Sequence, residues 1–238
     1  MKYAIFSDIH SNLEALETAV SCVKGRGIQK IAVLGDTVGY GANPNECLEW
    51  VVQNADVRLM GNHEKGVIDP GIRDWFNDYA REALVWTDEV LDEKFRKSIA
   101  GLPFMRLEKG ATFVHSSPDR PEEFKYLLSY EDAQSSFRSM EGDICFVGHT
   151  HVPCSICANA RRAEYLRPGI LKLAAGERYI LNPGSVGQPR DRDPRLAFGI
   201  FDDSEQTFEI VRLDYDNRKA ADKIRKAGLP QYLADRLL

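Results

Sequence analysis

The chain has no long apolar stretch, no basic block and no even set of cysteines. Its longest apolar runs are about five or six residues, against the roughly 20 that a membrane-spanning helix needs, so no membrane contact is expected. The opening residues, Met1-Lys2-Tyr3-Ala4-Ile5-Phe6-Ser7-Asp8, reach a charge too soon for a secretory signal. A cytoplasmic location follows as an expectation. The five cysteines are Cys22, Cys47, Cys145, Cys154 and Cys157, and an odd set without an export signal argues for free thiols. Cys154 and Cys157 have the spacing of a redox or zinc hairpin, but no second pair completes a structural zinc site. Lys and Arg number 31 against 36 Asp and Glu, a net charge of −5, so long nucleic acid is not an expected partner. A small anionic substrate stays open, because bound divalent cations would reverse the field locally. Whether the chain forms a homo-oligomer is equally open.

Short apolar runs alternate with helical patterns in the first third of the chain. Tyr3–Phe6, Ile31–Leu34 and Val57–Met60 read as buried strands. Between them, Asn12–Lys24 reads as a helix with Ser11 and Glu14 at capping-box spacing, and a second helix starts at Asn43-Pro44 and runs to about Val52. This order predicts a parallel sheet core with helices on its faces. Residues 69–102 carry Ile72, Trp75, Phe76, Tyr79, Ala83 and Trp86 at helical spacing, continued by Val90, Leu91, Phe95 and Ile99. They predict an inserted lobe of two helices broken near Thr87-Asp88. Its aromatic stripe reads first as core packing, with a ring that stacks on a nucleobase as the alternative. The second half predicts strands at Thr112–His115, Ile144–Val147, Tyr179–Leu181, Leu196–Phe201 and Thr207–Leu213, then a closing helix over Asp216–Lys226 stopped by Gly228.

Histidine is scarce and its placement is the strongest signal. All five histidines fall at the ends of apolar runs: Asp8-Ile-His10, Gly61-Asn62-His63, His115, and Gly148-His149-Thr-His151. Gly35-Asp36 ends a further run. A lone histidine at a strand end is usually a hydrogen-bonded structural residue, and a lone Gly-Asp is usually a turn. Five such ends in one chain instead predict a shared rim of metal ligands outside the carboxyl ends of strands. Residues two apart on extended backbone point the same way, which would aim Asp8 with His10 and His149 with His151. Glycine before a ligand lets the backbone bend or approach closely.

The ordered set Asp8-Ile-His10, Gly35-Asp36, Gly61-Asn62-His63-Glu64, His115 and Gly148-His149-Thr-His151 resembles the five-block signature of the calcineurin-like metallophosphoesterases. The resemblance implies an α/β fold, a four-layer α/β/β/α sandwich of two mixed sheets, as one domain over residues 1–238 with a helical lid at about 66–102. It implies two divalent metal ions. Asp8, His10 and His151 would bind one; Asn62, His115 and His149 the other; Asp36 would bridge both. Hydroxide held between the metals would attack the phosphorus, with His63 as general acid. An oxygen and nitrogen donor set without thiolate fits manganese, iron or zinc.

The protein Ser/Thr phosphatases carry Gly-Asp-x-x-Asp-Arg-Gly, whereas this chain has Gly35-Asp36-Thr-Val-Gly39-Tyr40-Gly41. The second Asp and the Arg are absent, so the resemblance points to the small bacterial and archaeal phosphoesterases. The expected substrate is a small phosphodiester, phosphomonoester or nucleoside polyphosphate. Asn12 and Arg190 are candidate substrate contacts, with Arg120 a weaker one. The segment Asn182-Pro-Gly-Ser185 reads first as a tight turn and second as a loop that presents Arg190 to a phosphate. The rival class is a binding scaffold that kept the fold and lost turnover. Such relatives usually lose ligands, and here every block is intact.

Overall fold

The computed structural model describes residues 2–238. Two six-stranded sheets face each other. The first runs in the order β3 (Val57–Arg58), β2 (Lys30–Val33), β1 (Lys2–Phe6), β11 (Leu196–Asp202), β12 (Thr207–Leu213) and β9 (Gly169–Lys172). The second runs β4 (Met105–Glu108), β5 (Ala111–Val114), β6 (Ile144–Phe146), β10 (Tyr179–Pro183), β7 (Pro153–Cys157) and β8 (Arg162–Tyr165). Both are mixed. β1, β2 and β3 pair in parallel, as do β5, β6 and β10, and the other neighbours are antiparallel.

Alternation along the strands builds the layers. Tyr3 and Ile5 of β1 point between the sheets, where they meet Phe113, Phe146, Leu181 and Phe208. Ala4 and Phe6 point the other way, onto α1 (Leu13–Gly25) and α2 (Pro44–Asn54) through Leu16, Val20 and Val51. On the far side, Val114, Cys145 and Ile180 pack under α6 (Tyr130–Ser139) through Ala133 and Phe137. The result is the four-layer α/β/β/α sandwich. Central strands buried on both faces read as unbroken apolar runs, and each fully buried Phe or Ile contributes about 1.5–3 kcal/mol.

The helical lobe comprises α3 (Asn62–Ile68), a 3-10 turn over Pro70–Trp75, α4 (Asp78–Val90) and α5 (Glu93–Ala100). Leu84, Phe95 and Ile99 pack on Val38 and Leu48. Ala80 and Ala83 pack on α7 (Asn217–Lys226) and α8 (Gln231–Asp235). The break between α4 and α5 falls at Leu91-Asp92, not at Thr87-Asp88. Thr87 is buried and its hydroxyl donates to the Ala83 carbonyl at 2.7 Å, so the helix runs on through it.

Local differences have similar causes. The capping box expected from Ser11 and Glu14 does not form. Asn12 caps α1 instead, its Oδ1 accepting from the Ala15 N–H at 3.2 Å. Glu14 turns to Lys223 and Lys219 on α7, at 2.6 and 3.1 Å. β3 stops at Arg58 because the Met60 N–H leaves the sheet for the Pro103 carbonyl, at 2.9 Å. Cys154 and Cys157 lie on β7 as free thiols, and Cys157 donates to Glu177 at 3.2 Å. No helix among the described residues is long and apolar enough to cross a membrane.

Candidate metal centre

Loops after β1, β2, β5 and β6, with the first turn of α3, converge at one rim. Asp8, His10, Asp36, His63, His115, His149 and His151 are all buried there, and Asn62 is half-buried.

In the first cluster the Nε2 atoms of His10 and His151 lie 3.1 Å apart. Asp8 Oδ1 lies 3.4 Å from His151 Nε2 and 3.9 Å from His10 Nε2. On the opposite ring edge, His10 Nδ1 is 3.0 Å from the Val38 carbonyl and His151 Nδ1 is 2.6 Å from the Gln188 carbonyl. A carbonyl only accepts, so each Nδ1 carries the proton. Burial first, then neighbouring positive charge, holds both imidazoles well below their usual value and therefore neutral. Their Nε2 lone pairs thus face each other and Asp8 Oδ1, which has no hydrogen-bond donor. Three converging acceptors suit a cation. The backbone carbonyls that fix the tautomers are the usual supports of metal-binding imidazoles.

The second cluster differs in its charge state. His115 Nδ1 is 3.2 Å from the Leu34 carbonyl, and His115 Nε2 is 3.1 Å from Asn62 Oδ1 and 3.4 Å from Asp36 Oδ2. His149 completes it, with a buried Nε2 that has no partner. Asp36 Oδ2 also lies 3.7 Å from His10 Nε2, so one carboxylate faces both clusters. Burial alone would lower the His115 imidazole, yet the Asp36 carboxylate holds it up at about 9. The site thus calls for positive charge, and a bound metal would displace that proton. The donor set and its orphaned atoms fit divalent cations.

The backbone carries the cost of this convergence. Asp8, His10, Asp36, His149 and His151 all have φ between 48° and 66°, in the left-handed region. For a non-glycine residue that conformation costs roughly 1–2 kcal/mol. The two-residue spacing therefore does not aim Asp8 with His10 through extended backbone; tight left-handed turns do. Hydrogen bonds between the loops hold those turns. Asp8 N–H donates to Gly35 at 3.1 Å, His10 N–H to Asp36 at 2.9 Å and Gly148 N–H to His115 at 2.8 Å. A Cβ on Gly148 would sit 1.8 Å from Ser7 Oγ, so only glycine allows this close approach.

Two supports carried little sequence signal. The fully buried Glu64 carboxylate accepts from the backbone N–H groups of Asp36, Thr37, Val38 and Gly61, at 2.6–3.2 Å. It shapes the loop that carries Asp36. Glu64→Ala leaves those donors unpaired and is expected to cost about 3–5 kcal/mol. The thermal midpoint should then fall by roughly 10 °C; a calorimetric midpoint within about 2 °C of the parent would refute this. The second support is Asn182-Pro-Gly-Ser185. Asn182 donates to Gly148 at 2.6 Å, and Ser185 Oγ donates to the Asp8 carbonyl at 2.8 Å. The segment is a brace between two ligand loops rather than a plain turn.

His63 stands beside both clusters. Its N–H donates to Asp36 Oδ1 at 2.9 Å, and its ring packs on His10, Tyr40 and Phe76. Its Nδ1 is buried without a partner. Gly39 makes room for the ring, since a Cβ there would lie 2.1 Å from that nitrogen. Burial pushes the imidazole down to about 4, below the near-neutral value that suits a proton donor. A nearby phosphoester dianion is the kind of charge that would raise it.

The substrate contacts proposed from sequence separate. Asn12 has both side-chain atoms engaged within the protein: besides capping α1, its Nδ2 donates to Gly187 at 2.9 Å and to Tyr215 at 3.2 Å. It therefore acts in the scaffold, a correction to the expected substrate role. Arg120 pairs with Glu123 at 2.8 Å. Arg190 does face the site. It lines a cleft of about 250 Å³ with Asn62, His149 and Tyr40. Its guanidinium donates to the Tyr40 hydroxyl and to Gln188, both at 3.3 Å, and its Nε is buried without a partner.

The comparisons agree with this geometry. The sequence pattern of the calcineurin-like phosphoesterase superfamily domain matches residues 1–206. The uncharacterized protein MJ0912 of Methanocaldococcus jannaschii is 42% identical over 98% of this chain and 96% of its own. The crystal structure of a metallophosphoesterase from Sphaerobacter thermophilus superposes with a TM-score of 0.89 at 36% identity, covering 100% of this chain and 98% of that one. The hypothetical protein PH1004 from Pyrococcus horikoshii shares the fold, with a TM-score of 0.79 at 21% identity over 99% and 97% of the chains. With clusters able to bind metal at the rim of this sandwich, the chain belongs to the calcineurin-like phosphoesterase superfamily and is an enzyme of the metallophosphoesterase class.

Proposed function

We propose that the protein hydrolyses a small phosphorylated substrate in the cytoplasm, at two divalent cations that share Asp36. The observation that carries this reading is the pair of clusters, three imidazole Nε2 atoms and two carboxylates turned inward with one carboxylate common to both. Asp8, His10 and His151 would hold one cation and Asn62, His115 and His149 the other. Cations bound there would supply Lewis acidity to the phosphoryl oxygens and to the attacking water. The nitrogen and oxygen donors suit manganese, iron or zinc, and four imidazoles disfavour magnesium.

The protein's own groups handle the rest. Arg190 lines the cleft, and its guanidinium, which bonds only the neutral Tyr40 hydroxyl and Gln188, would hold a phosphoryl oxygen. His63 is placed to hold the proton that the leaving oxygen takes up. Tyr40 and Phe76 pack on His63 and keep bulk water from that ring. Monoesters, diesters and nucleoside polyphosphates all fall within this chemistry. The test is turnover of p-nitrophenyl phosphate and bis-p-nitrophenyl phosphate with added manganese, abolished by a chelator and restored by metal. Failure on every phosphoester despite bound metal would favour a binding scaffold on the same fold.

A further inference from the structure

The cleft beside the ligands has a mixed lining. Arg190, Asn62 and His149 supply charged and metal-facing groups, and Glu123 adds a carboxylate. Trp75 and Phe76 from the lobe, with Phe124 and Tyr126, supply rings, and Tyr126 stacks on His149 at 4.0 Å. Among these rings Trp75 is the unusual one. Its side chain is 72% exposed. Other members of the same stripe have structural partners. Phe76 packs on His63 at 5.2 Å, Tyr79 stacks on Tyr232 at 4.7 Å, and Trp86 packs against the α7–α8 core. Among the described residues no ring or cation packs on Trp75.

The indole stands on a braced turn. Arg73 within the turn donates to Gly66 at 2.8 Å, to Val67 at 3.1 Å and to Asp88 at 2.7 Å. Ile72 is buried beneath it, and Asn77 caps the helix that follows, its Oδ1 accepting from Ala80 at 3.0 Å. The next residue, Phe76, ties the turn to the His63 ring. Trp75 is thus held in place, exposed and lining the cleft. Arg190 meets only neutral partners, donating to the Tyr40 hydroxyl and Gln188 and lying over the Tyr40 ring, and among the described residues no carboxylate pairs with it within 4.0 Å. A ligand that combines an anionic group with a flat, uncharged aromatic one matches this mixed lining.

We infer that the cleft selects nucleoside phosphates, with Trp75 stacking on the base while Arg190 and the ligand clusters receive the phosphate. This rests on the proposed phosphoesterase reading and names its substrate class. Stacking of a base on an aromatic side chain is worth about 1–3 kcal/mol, which is roughly a 5- to 150-fold effect on affinity.

Two measurements test it. In the first, thymidine 5′-phosphate p-nitrophenyl ester and methyl p-nitrophenyl phosphate are compared on the metal-loaded enzyme. They share a leaving group and differ in the nucleoside. The parent should prefer the nucleoside ester by roughly tenfold or more in kcat/KM. Trp75→Leu should erase most of that ratio, chiefly through KM, and Trp75→Phe should keep much of it. In the second, adenosine 5′-monophosphate should quench tryptophan fluorescence where glycerol 3-phosphate does not, and Trp75→Leu should remove the quench. Equal turnover of both esters by the parent, or a ratio and quench untouched by Trp75→Leu, overturns the inference and leaves the hydrolase reading standing. A quench that depends on Trp75, with neither ester hydrolysed, supports the base site and overturns the hydrolase reading instead.

Discussion

Asp36→Asn is expected to leave the protein folded, unable to retain two metals, and slower in phosphoester hydrolysis by about 10³-fold. This side chain has two faces with different partners. Oδ1 accepts the His63 N–H at 2.9 Å, a bond that an amide oxygen keeps. Oδ2 faces His115 Nε2 at 3.4 Å and His10 Nε2 at 3.7 Å. The substitution puts a neutral NH2 donor there. It can bond directly to an imidazole lone pair, closing the space in which the acceptors converge. It also removes the one negative charge that both clusters share, which two nearby dications need in order to coexist. A loss of about 4 kcal/mol in transition-state stabilisation corresponds to that rate. Elemental analysis should find two metals per parent chain and at most one in the variant, with unchanged circular dichroism. Two retained metals would remove Asp36 from the shared role.

The second large effect is expected from His63→Ala, a loss of roughly 10²–10⁴ in kcat with both metals kept. His63, His10 and Asp36 could together hold an ion, since their ligand atoms lie within 4.8 Å of one another. Metal content therefore separates a proton donor from a ligand. The leaving group gives a sharper test. An aliphatic alkoxide needs a proton as it departs and p-nitrophenolate scarcely does. The defect should be large for alkyl esters and small for p-nitrophenyl esters. An equal loss on both, or a chain that comes away from purification without metal, would assign His63 a different task.

The metal-facing side chains were legible because each ends an apolar run, and apolar runs survive in sequence wherever a strand is buried on both faces. Asp8, Asp36, His115 and His149 were placed by that logic alone. The reason given for their aim was only partly physical. Spacing on extended backbone cannot describe residues at φ near +50°, and no pattern of residue types announces a run of left-handed aspartates and histidines. Edge strands were silent for the opposite cause. β8 and β9 are largely exposed on both faces, so Arg162-Ala-Glu-Tyr165 and Gly169-Ile-Leu-Lys172 show no apolar run.

Long-range polar contacts were the other blind spot. Glu64 stands in the Gly61-Asn-His-Glu64 block, but its service to the Asp36 loop joins residues 26–28 apart in the chain. Ser185 serves Asp8 across 177 residues. Asn12 shows the same limit, since its partners Gly187 and Tyr215 lie in distant segments. A polar residue next to a ligand block looks the same in sequence whether it faces substrate or braces a loop.

The stripe Trp75, Phe76, Tyr79 and Trp86 divides along the same line. Helical spacing accounts for Trp86. The turn before α4 takes Trp75 out of that register and sets it at the mouth of the cleft.

Anomalous diffraction from a manganese-soaked crystal would locate the bound cations. Two peaks about 3.5–4 Å apart, one bounded by Asp8, His10 and His151, the other by Asn62, His115 and His149, with Asp36 reaching both, is the predicted result. A single peak, or manganese bound only elsewhere on the chain, would contradict it.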